Sequence, residues 1–280
     1  MELITLENTD LQSILNILNE VFADYVIPLQ LTVAQLEQKI AAENIQLNLS
    51  IGVVSAGKLV GLMLHAINHM DGKVCVYNAG TGVVPEFRGK GIVANMYRFL
   101  LPKLQELGVK AMLLEVILGN DSAIRAYEKM GYRVNRTLDS FKGVVAVVAE
   151  NKNLEVRDLV NLDWDCLKTF WTASPAWQAS EQALDNSRER LSVLGAYEGG
   201  ALVGYVAFYA SIARIQQLAV APNQRRKGVA TKLIEAMKTA VGGPEIAINN
   251  VDHEAIDVIA FLQSMGLSYR LSQFEMIKNL

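Results

Sequence analysis

The sequence predicts an α/β (α+β) protein built from two tandem copies of one unit. Three observations predict it. The 280 residues are 51 % apolar, enough for two domains of about 140 residues, each with its own core. A cation-glycine loop occurs twice, as PEFRGKGIVANMY (85–97) and APNQRRKGVATKL (221–233); Arg88 and Arg225 lie 137 positions apart, as do Gly91 and Gly228. Strand-like runs and helical periodicities also follow one another in the same order around both loops.

In the first copy, Thr9 caps a helix with apolar positions Leu11, Ile14, Leu15, Leu18 and Phe22. Thr32 with Gln35 forms a capping box for a second helix. Strands are expected at Leu49–Val54, Leu59–His65 and Val74–Val84, joined by the turns SAGK and MDGK. The basic loop leads into a helix from Ile92 to Leu107, stopped by Gly108. Ala111–Ile117 reads as a buried strand and Ser122–Met130 as a short helix ended by Gly131. Strands at Tyr132–Arg136 and Phe141–Ala149 close the copy.

The second copy repeats the order. Helical stretches lie between Leu162 and Arg190. A hairpin pairs Leu191–Glu198 with Ala201–Tyr209 across a Gly-Gly turn. Arg214–Val220 leads into the second loop and a helix from Val229 to Val241. A strand at Glu245–Asn249, a helix at Glu254–Met265 and two strands finish the chain. The motif LVG occurs at 59–61 and again at 202–204. The junction is expected at Asn151–Asn153, giving domains 1–150 and 154–280.

Composition excludes several classes. Lys and Arg number 26 against 29 Asp and Glu, a net charge of −3, which argues against nucleic acid or an anionic membrane as the partner. The acidic start MELITLENTD is no secretory signal, and the longest aliphatic run, Val144 to Ala149, is too short to span a bilayer. The two cysteines, Cys75 and Cys166, fall in different halves and form no zinc or disulfide pattern. A reducing cytoplasm and no metal are expected; Cys75 reads as a small buried apolar residue.

The loop chemistry points to an anion. A helix N-terminus has unpaired N–H groups and about half a positive charge, so a phosphate sits well there. Glycines let the backbone close on oxygen atoms, and Arg or Lys add charge-assisted bonds. A single such loop is also compatible with a solvated basic turn; two at one point of two repeats favour a site. No GxxxxGK[ST] is present. Gly89-x-Gly91-x-x-Ala94 meets a loose dinucleotide pattern, but the strand ends before Pro85, and Arg226 stands where Gly89 does.

These residues resemble the GCN5-related N-acetyltransferase (GNAT) superfamily, in a tandem form. Its acyl-CoA motif, Arg/Gln-x-x-Gly-x-Gly/Ala, is complete in Arg225-Arg226-Lys227-Gly228-Val229-Ala230. Arg88-Gly89-Lys90-Gly91-Ile92-Val93 matches until Val93 replaces the small residue. Asn120, Ala123, Tyr127, Gly131 and Tyr132 match the downstream pattern in the first copy. In the second copy, alignment on Gly131 and Gly266 puts Leu262 at the tyrosine position, and Asn249 and Asn250 lie farther from the glycine.

The resemblance implies a mixed, mostly antiparallel sheet flanked by helices in each copy. It implies acetyl-CoA as cosubstrate, its pyrophosphate on both loops and its pantetheine arm along a splayed strand, at Gly82 and Val83 in the first copy and Leu218 and Val220 in the second. An amine would attack the thioester carbonyl, polarised by strand amides, and Tyr127 would protonate the leaving thiolate. Candidate bases are Glu115, Glu86 and Asp24. Tyr25 and Pro28 occupy the segment that usually lines the acceptor pocket, and Trp164, Trp171 and Trp177 its counterpart, where interdomain packing is an equal reading. The acceptor is a small-molecule or peptide amine; the oligomeric state is left open. A second hypothesis is an acyl-CoA-binding sensor that transfers nothing, suggested by the division of loop and tyrosine between the copies.

Overall fold

A computed structural model of the chain describes residues 1–70, 72–145 and 154–280. The expected junction at Asn151–Asn153 lies outside the described residues, as does the end of the strand expected to reach Ala149. The chain forms two compact units: Met1–Asn135 with Phe274–Leu280, and Arg136–Gln273. The units therefore depart from the linear halves at both ends. Most of the first copy's last strand belongs to the second unit, and the chain's final seven residues belong to the first.

The first unit begins with β1 (Glu2–Thr5), α1 (Leu11–Val21) and α2 (Val33–Glu43). Asp10 rather than Thr9 caps α1, because its carboxylate accepts from the Ser13 N–H at 2.9 Å. The Thr32–Gln35 capping box on α2 is present. A meander follows through β2 (Ile51–Ser55), β3 (Lys58–Met70) and β4 (Lys73–Val83). Ala56 (φ 49°) and Gly57 (φ 77°) make the tight turn between β2 and β3. Next come α3 (Ile92–Glu106), β5 (Ala111–Ile117) and α4 (Asp121–Lys129). Ile92, Met96, Leu100 and Leu104 form the buried stripe of α3, at the helical repeat.

Two strands were expected after Gly131, but β6 (Arg133–Val144) is continuous. Buried Asp139 and Ser140 sit within it, where the sequence reads as a polar break. Asp139 is satisfied by Ser272 (2.6 Å) and His253 (2.7 Å), so tertiary partners override the local signal.

The second unit contains β7 (Glu155–Asp158), two short helices α5 (Trp164–Lys168) and α6 (Glu181–Asn186), and the strands β8 (Ser192–Glu198), β9 (Ala201–Tyr209) and β10 (Arg214–Val220). It continues with α7 (Val229–Val241), β11 (Glu245–Asp252), α8 (Ile256–Ser264) and the long β12 (Leu267–Asn279), again one strand where two were expected.

Sheet order is β1-β2-β3-β4-β5-β12 in the first unit and β12-β6-β11-β10-β9-β8-β7 in the second. The pairing is mostly antiparallel; β4–β5 and β10–β11 are parallel. Among the described residues, no helix is long and apolar enough to cross a membrane.

Candidate active site

The site in the first unit starts from an incomplete ladder. β4 and β5 pair only from Cys75–Asn78 to Ala111–Leu114. Beyond Asn78 the β3–β4 register shifts, between Leu64 opposite Gly80 and His65 opposite Asn78. Asn78 fills this bulge. Its Oδ1 accepts from the Gly80 N–H at 3.1 Å, and its amide donates to Thr81 Oγ1 at 2.7 Å and to the Tyr97 hydroxyl at 2.9 Å.

Past the bulge, the Val84 N–H bonds to the Val60 carbonyl at 3.0 Å. Strand alternation then turns the Gly82 N–H toward β3 and leaves those of Thr81 and Val83 on the open side. Of the two strand residues expected at the pantetheine arm, Val83 presents its amide and Gly82 does not. Gly82 serves the packing instead. A Cβ there would collide with Val21, so glycine admits α1 onto the strand.

A cleft of about 920 Å³ opens beside this edge. The basic loop forms one end. Gly89 (φ 75°) and Gly91 (φ 72°) are left-handed, and α3 starts at Gly91 with no side-chain cap. In contrast, α1, α2 and α4 are capped by Asp10, Thr32 and Asn120. The first turn of α3 thus keeps N–H groups for an anion. Val93 lines the cleft without closing it, and Ile92 is buried. Lys90 lies over the Phe87 ring at 4.9 Å and does not line the cleft.

Arg88, expected to serve a phosphate, lines the cleft and is also tied into the protein. Its Nε donates to the Val83 carbonyl at 2.9 Å, and its two terminal nitrogens hold Asp24 at 2.6 and 2.8 Å. A further bond reaches the Val21 carbonyl at 3.3 Å. Four of the five guanidinium N–H groups are therefore used in stapling the loop to α1 and β4. The Arg88 guanidinium in turn holds the Asp24 carboxyl below its ordinary value.

Tyr127 on α4 lines the cleft. Burial of its hydroxyl raises its pKa above the ordinary tyrosine value, and a hydrogen bond with Thr81 pulls the other way. Its ring packs edge-on against Tyr132 at 5.8 Å, and Tyr132 donates to the Tyr97 hydroxyl at 3.1 Å. Asn120 is largely committed: its Oδ1 caps α4 through the Ala123 N–H at 3.3 Å, and its amide reaches the Tyr25 hydroxyl at 3.4 Å.

Glu115, expected as a base, does not line the cleft; it lies by Tyr77, whose pKa is raised first by burial and then by the Glu115 charge and hydrogen bond. The reason is strand parity: Glu115 lies two residues after Leu113, the partner of Tyr77, and so shares its face of the sheet. Glu86 is absent from the cleft wall as well, and Asp24 is present but paired. Sequence reasoning missed Asn78 and Thr81, whose roles depend on the bulge. It also missed Arg125 and Lys129, one helical turn apart on α4, both lining the cleft.

The second unit repeats the loop beside a smaller space. Arg226 (φ 63°) and Gly228 (φ 83°) copy the conformations of Gly89 and Gly91, and α7 also starts without a side-chain cap. Arg225 repeats the staple, donating to the Val220 carbonyl at 3.2 Å and the Phe170 carbonyl at 3.1 Å. Lys227 donates to Gln224 at 3.0 Å, Val229 is buried in the core and Ala230 is half-buried.

The space beside β10 is only about 100 Å³, and it reaches Leu218 but neither Val220 nor the loop. Residues 174–176 and Ala179 line that space instead of leaving it open. The Gln217 amide donates to the Ala179 carbonyl and its oxygen accepts from Tyr205, which also receives the Trp171 indole N–H at 2.7 Å. Trp177 is buried, and Trp164 is tied to Asp185 at 2.9 Å. Leu262 is fully buried in the core.

The family model described as "Acetyltransferase (GNAT) family" matches residues 12–132 and 156–267. No curated protein matches the sequence. Among solved structures, a GCN5-related N-acetyltransferase from Sphaerobacter thermophilus is 16 % identical with a TM-score of 0.71, covering 95 % of this chain and 91 % of its own. A tandem GNAT protein from the clavulanic acid biosynthesis pathway is 13 % identical with a TM-score of 0.71, covering 99 % and 98 %. A GCN5-related N-acetyltransferase from Kribbella flavida is 15 % identical with a TM-score of 0.62, covering 100 % and 71 %. These likenesses concern the fold; the family match extends over both copies, and the chain belongs to the GNAT acetyltransferase family as a tandem two-domain member.

Proposed function

We propose that the chain is an acetyl-CoA-dependent N-acetyltransferase whose first unit moves an acetyl group to a primary amine by direct attack on the thioester. The observation that carries this reading is that outward-facing strand backbone, an uncapped αL helix start and Tyr127 all border one open cleft. The amides of Thr81 and Val83, the loop Gly89–Val93, and Arg125 with Lys129 would hold the cosubstrate. When bound, acetyl-CoA supplies an activated acetyl group and a thiolate leaving group.

The strand amides polarise the carbonyl where negative charge develops. As the carbon–nitrogen bond forms and the carbon–sulfur bond breaks, the Tyr127 hydroxyl donates its proton to sulfur. A tyrosine is protonated at neutral pH, and water restores its proton once the thiol has formed. The amine proton passes to water, since the one carboxylate on the cleft wall among the described residues, Asp24, is engaged by Arg88. The second unit, with Leu262 at the tyrosine position and its strand edge covered, is read as non-catalytic. The lack of an uncommitted base in the cleft favours the second reading, an acyl-CoA sensor that transfers nothing.

Thiol release from acetyl-CoA with a panel of amines tests the proposal. Tyr127→Phe is expected to lower kcat about 100-fold and leave acetyl-CoA affinity unchanged. Tight binding with no release by any amine establishes the sensor instead.

A further inference from the structure

The cleft also indicates what kind of amine it receives, an inference that rests on the transfer reading above. One wall of the cleft is α1 and the segment after it, which Asp24 joins to the loop through Arg88. That wall is apolar and aromatic. Phe22 and Tyr25 pack edge-to-face at 5.3 Å, and the Tyr25 hydroxyl is held by Asn120 at 3.4 Å. Val26 completes the wall at 65 % exposure, a large apolar side chain left to solvent beside a cavity.

The charges point the same way. Asp24 is the single carboxylate on the cleft wall among the described residues, and both its oxygens are taken by Arg88 at 2.6 and 2.8 Å. A polycation entering here would find no free carboxylate among the described residues of the wall.

We propose that the acceptor is a monoamine carried on an apolar, aromatic-sized body, and that polyamines and amino sugars are excluded. The wall favours the amine in the form that reacts. An apolar surface disfavours the ammonium and lowers the amine's pKa, which supplies a neutral nucleophile where the cleft has no free base.

The test compares 2-phenylethylamine, spermidine and kanamycin by kcat/KM from thiol release, with acetyl-CoA binding followed separately by calorimetry. Phenylethylamine is expected to lead by about tenfold or more, the discrimination a desolvated unpaired charge imposes. Val26→Asp, a change at an exposed position, should shift the ratio toward spermidine by about tenfold, while Val26→Ser should weaken phenylethylamine without helping spermidine. A wild-type preference for spermidine or kanamycin overturns the inference and leaves the acetyltransferase reading standing. An unchanged ratio in Val26→Asp overturns it too. Loss of acetyl-CoA binding in the wild type overturns the transfer reading, and this one with it; binding without turnover of any amine has the same consequence.

Discussion

The two units hold nearly the same loop over different surroundings. Gly89 and Gly91 find their counterparts in Arg226 and Gly228, in the same left-handed conformations, and each leading arginine staples its loop to the carbonyl five residues back. Arg226 keeps that backbone although an L side chain there costs about 1 kcal/mol or more. Yet one loop opens onto about 920 Å³ and the other does not reach the space of about 100 Å³ near it. The loop is thus a local device and the cleft is not. What differs is the segment crossing the strand edge: Val21–Val26 packs on β4 through Val21 and borders the open cleft, while the stretch around Ala179 is hydrogen-bonded to Gln217 on β10.

The sharpest way to break this comparison is to damage each loop alone. Gly91→Asp should abolish acetyl-CoA binding, because a carboxylate replaces open space at the helix start and repels phosphate. Gly228→Asp should leave binding unchanged, and calorimetry of the wild type should count one equivalent. Two equivalents, with each variant losing one, would mean that the second cleft opens in solution.

A second difference concerns acid stability. Counted from the repeated LVG, His65 in the first unit corresponds to Phe208 in the second, and both are fully buried. Burial pushes the His65 imidazole down to about 4 from 6.5, and its Nε2 has no hydrogen-bond partner. Between those values the unfolded chain holds a proton that the folded chain lacks. The first unit's stability is therefore intact above about pH 6.5 and falls by about 3 kcal/mol as the pH drops toward 4. Urea titrations at several pH values should show this slope, and His65→Phe, which borrows the second unit's residue, should remove it. An acid slope of equal size in His65→Phe would assign the loss to other groups.

The smallest effect is expected at Asp24. Its pair with Arg88 is more than two-fifths exposed on both sides, so Asp24→Asn should leave stability nearly unchanged and change kcat by less than about threefold. A hundredfold loss in kcat with a shifted pH profile would instead make Asp24 the base.

Several elements were legible because their signals are local. The Thr32–Gln35 box, the β8–β9 hairpin and the α7 boundaries need only neighbouring residues. The merging of two expected strands into β6, and again into β12, was hidden. Asp139 and Ser140 look like a turn until Ser272 and His253 satisfy the carboxylate. Asn78 was hidden for the same reason: an asparagine in a strand is unremarkable until a bulge turns its side chain back on Gly80 and Thr81.

By itself the sequence determined the duplication, the GNAT family and the two glycine loops leading into helices, since glycine placement and helical spacing act over a few positions. Only the tertiary structure decided which loop faces a cleft, that both leading arginines are staples, and that Glu115 turns to Tyr77. It also decided that Phe274–Leu280 belongs to the first unit. These outcomes depend on strand parity and on which distant segment covers an edge. A hydrogen-bond donor or a bare strand edge is fixed by its own chain, but its partner is chosen by packing across the whole unit.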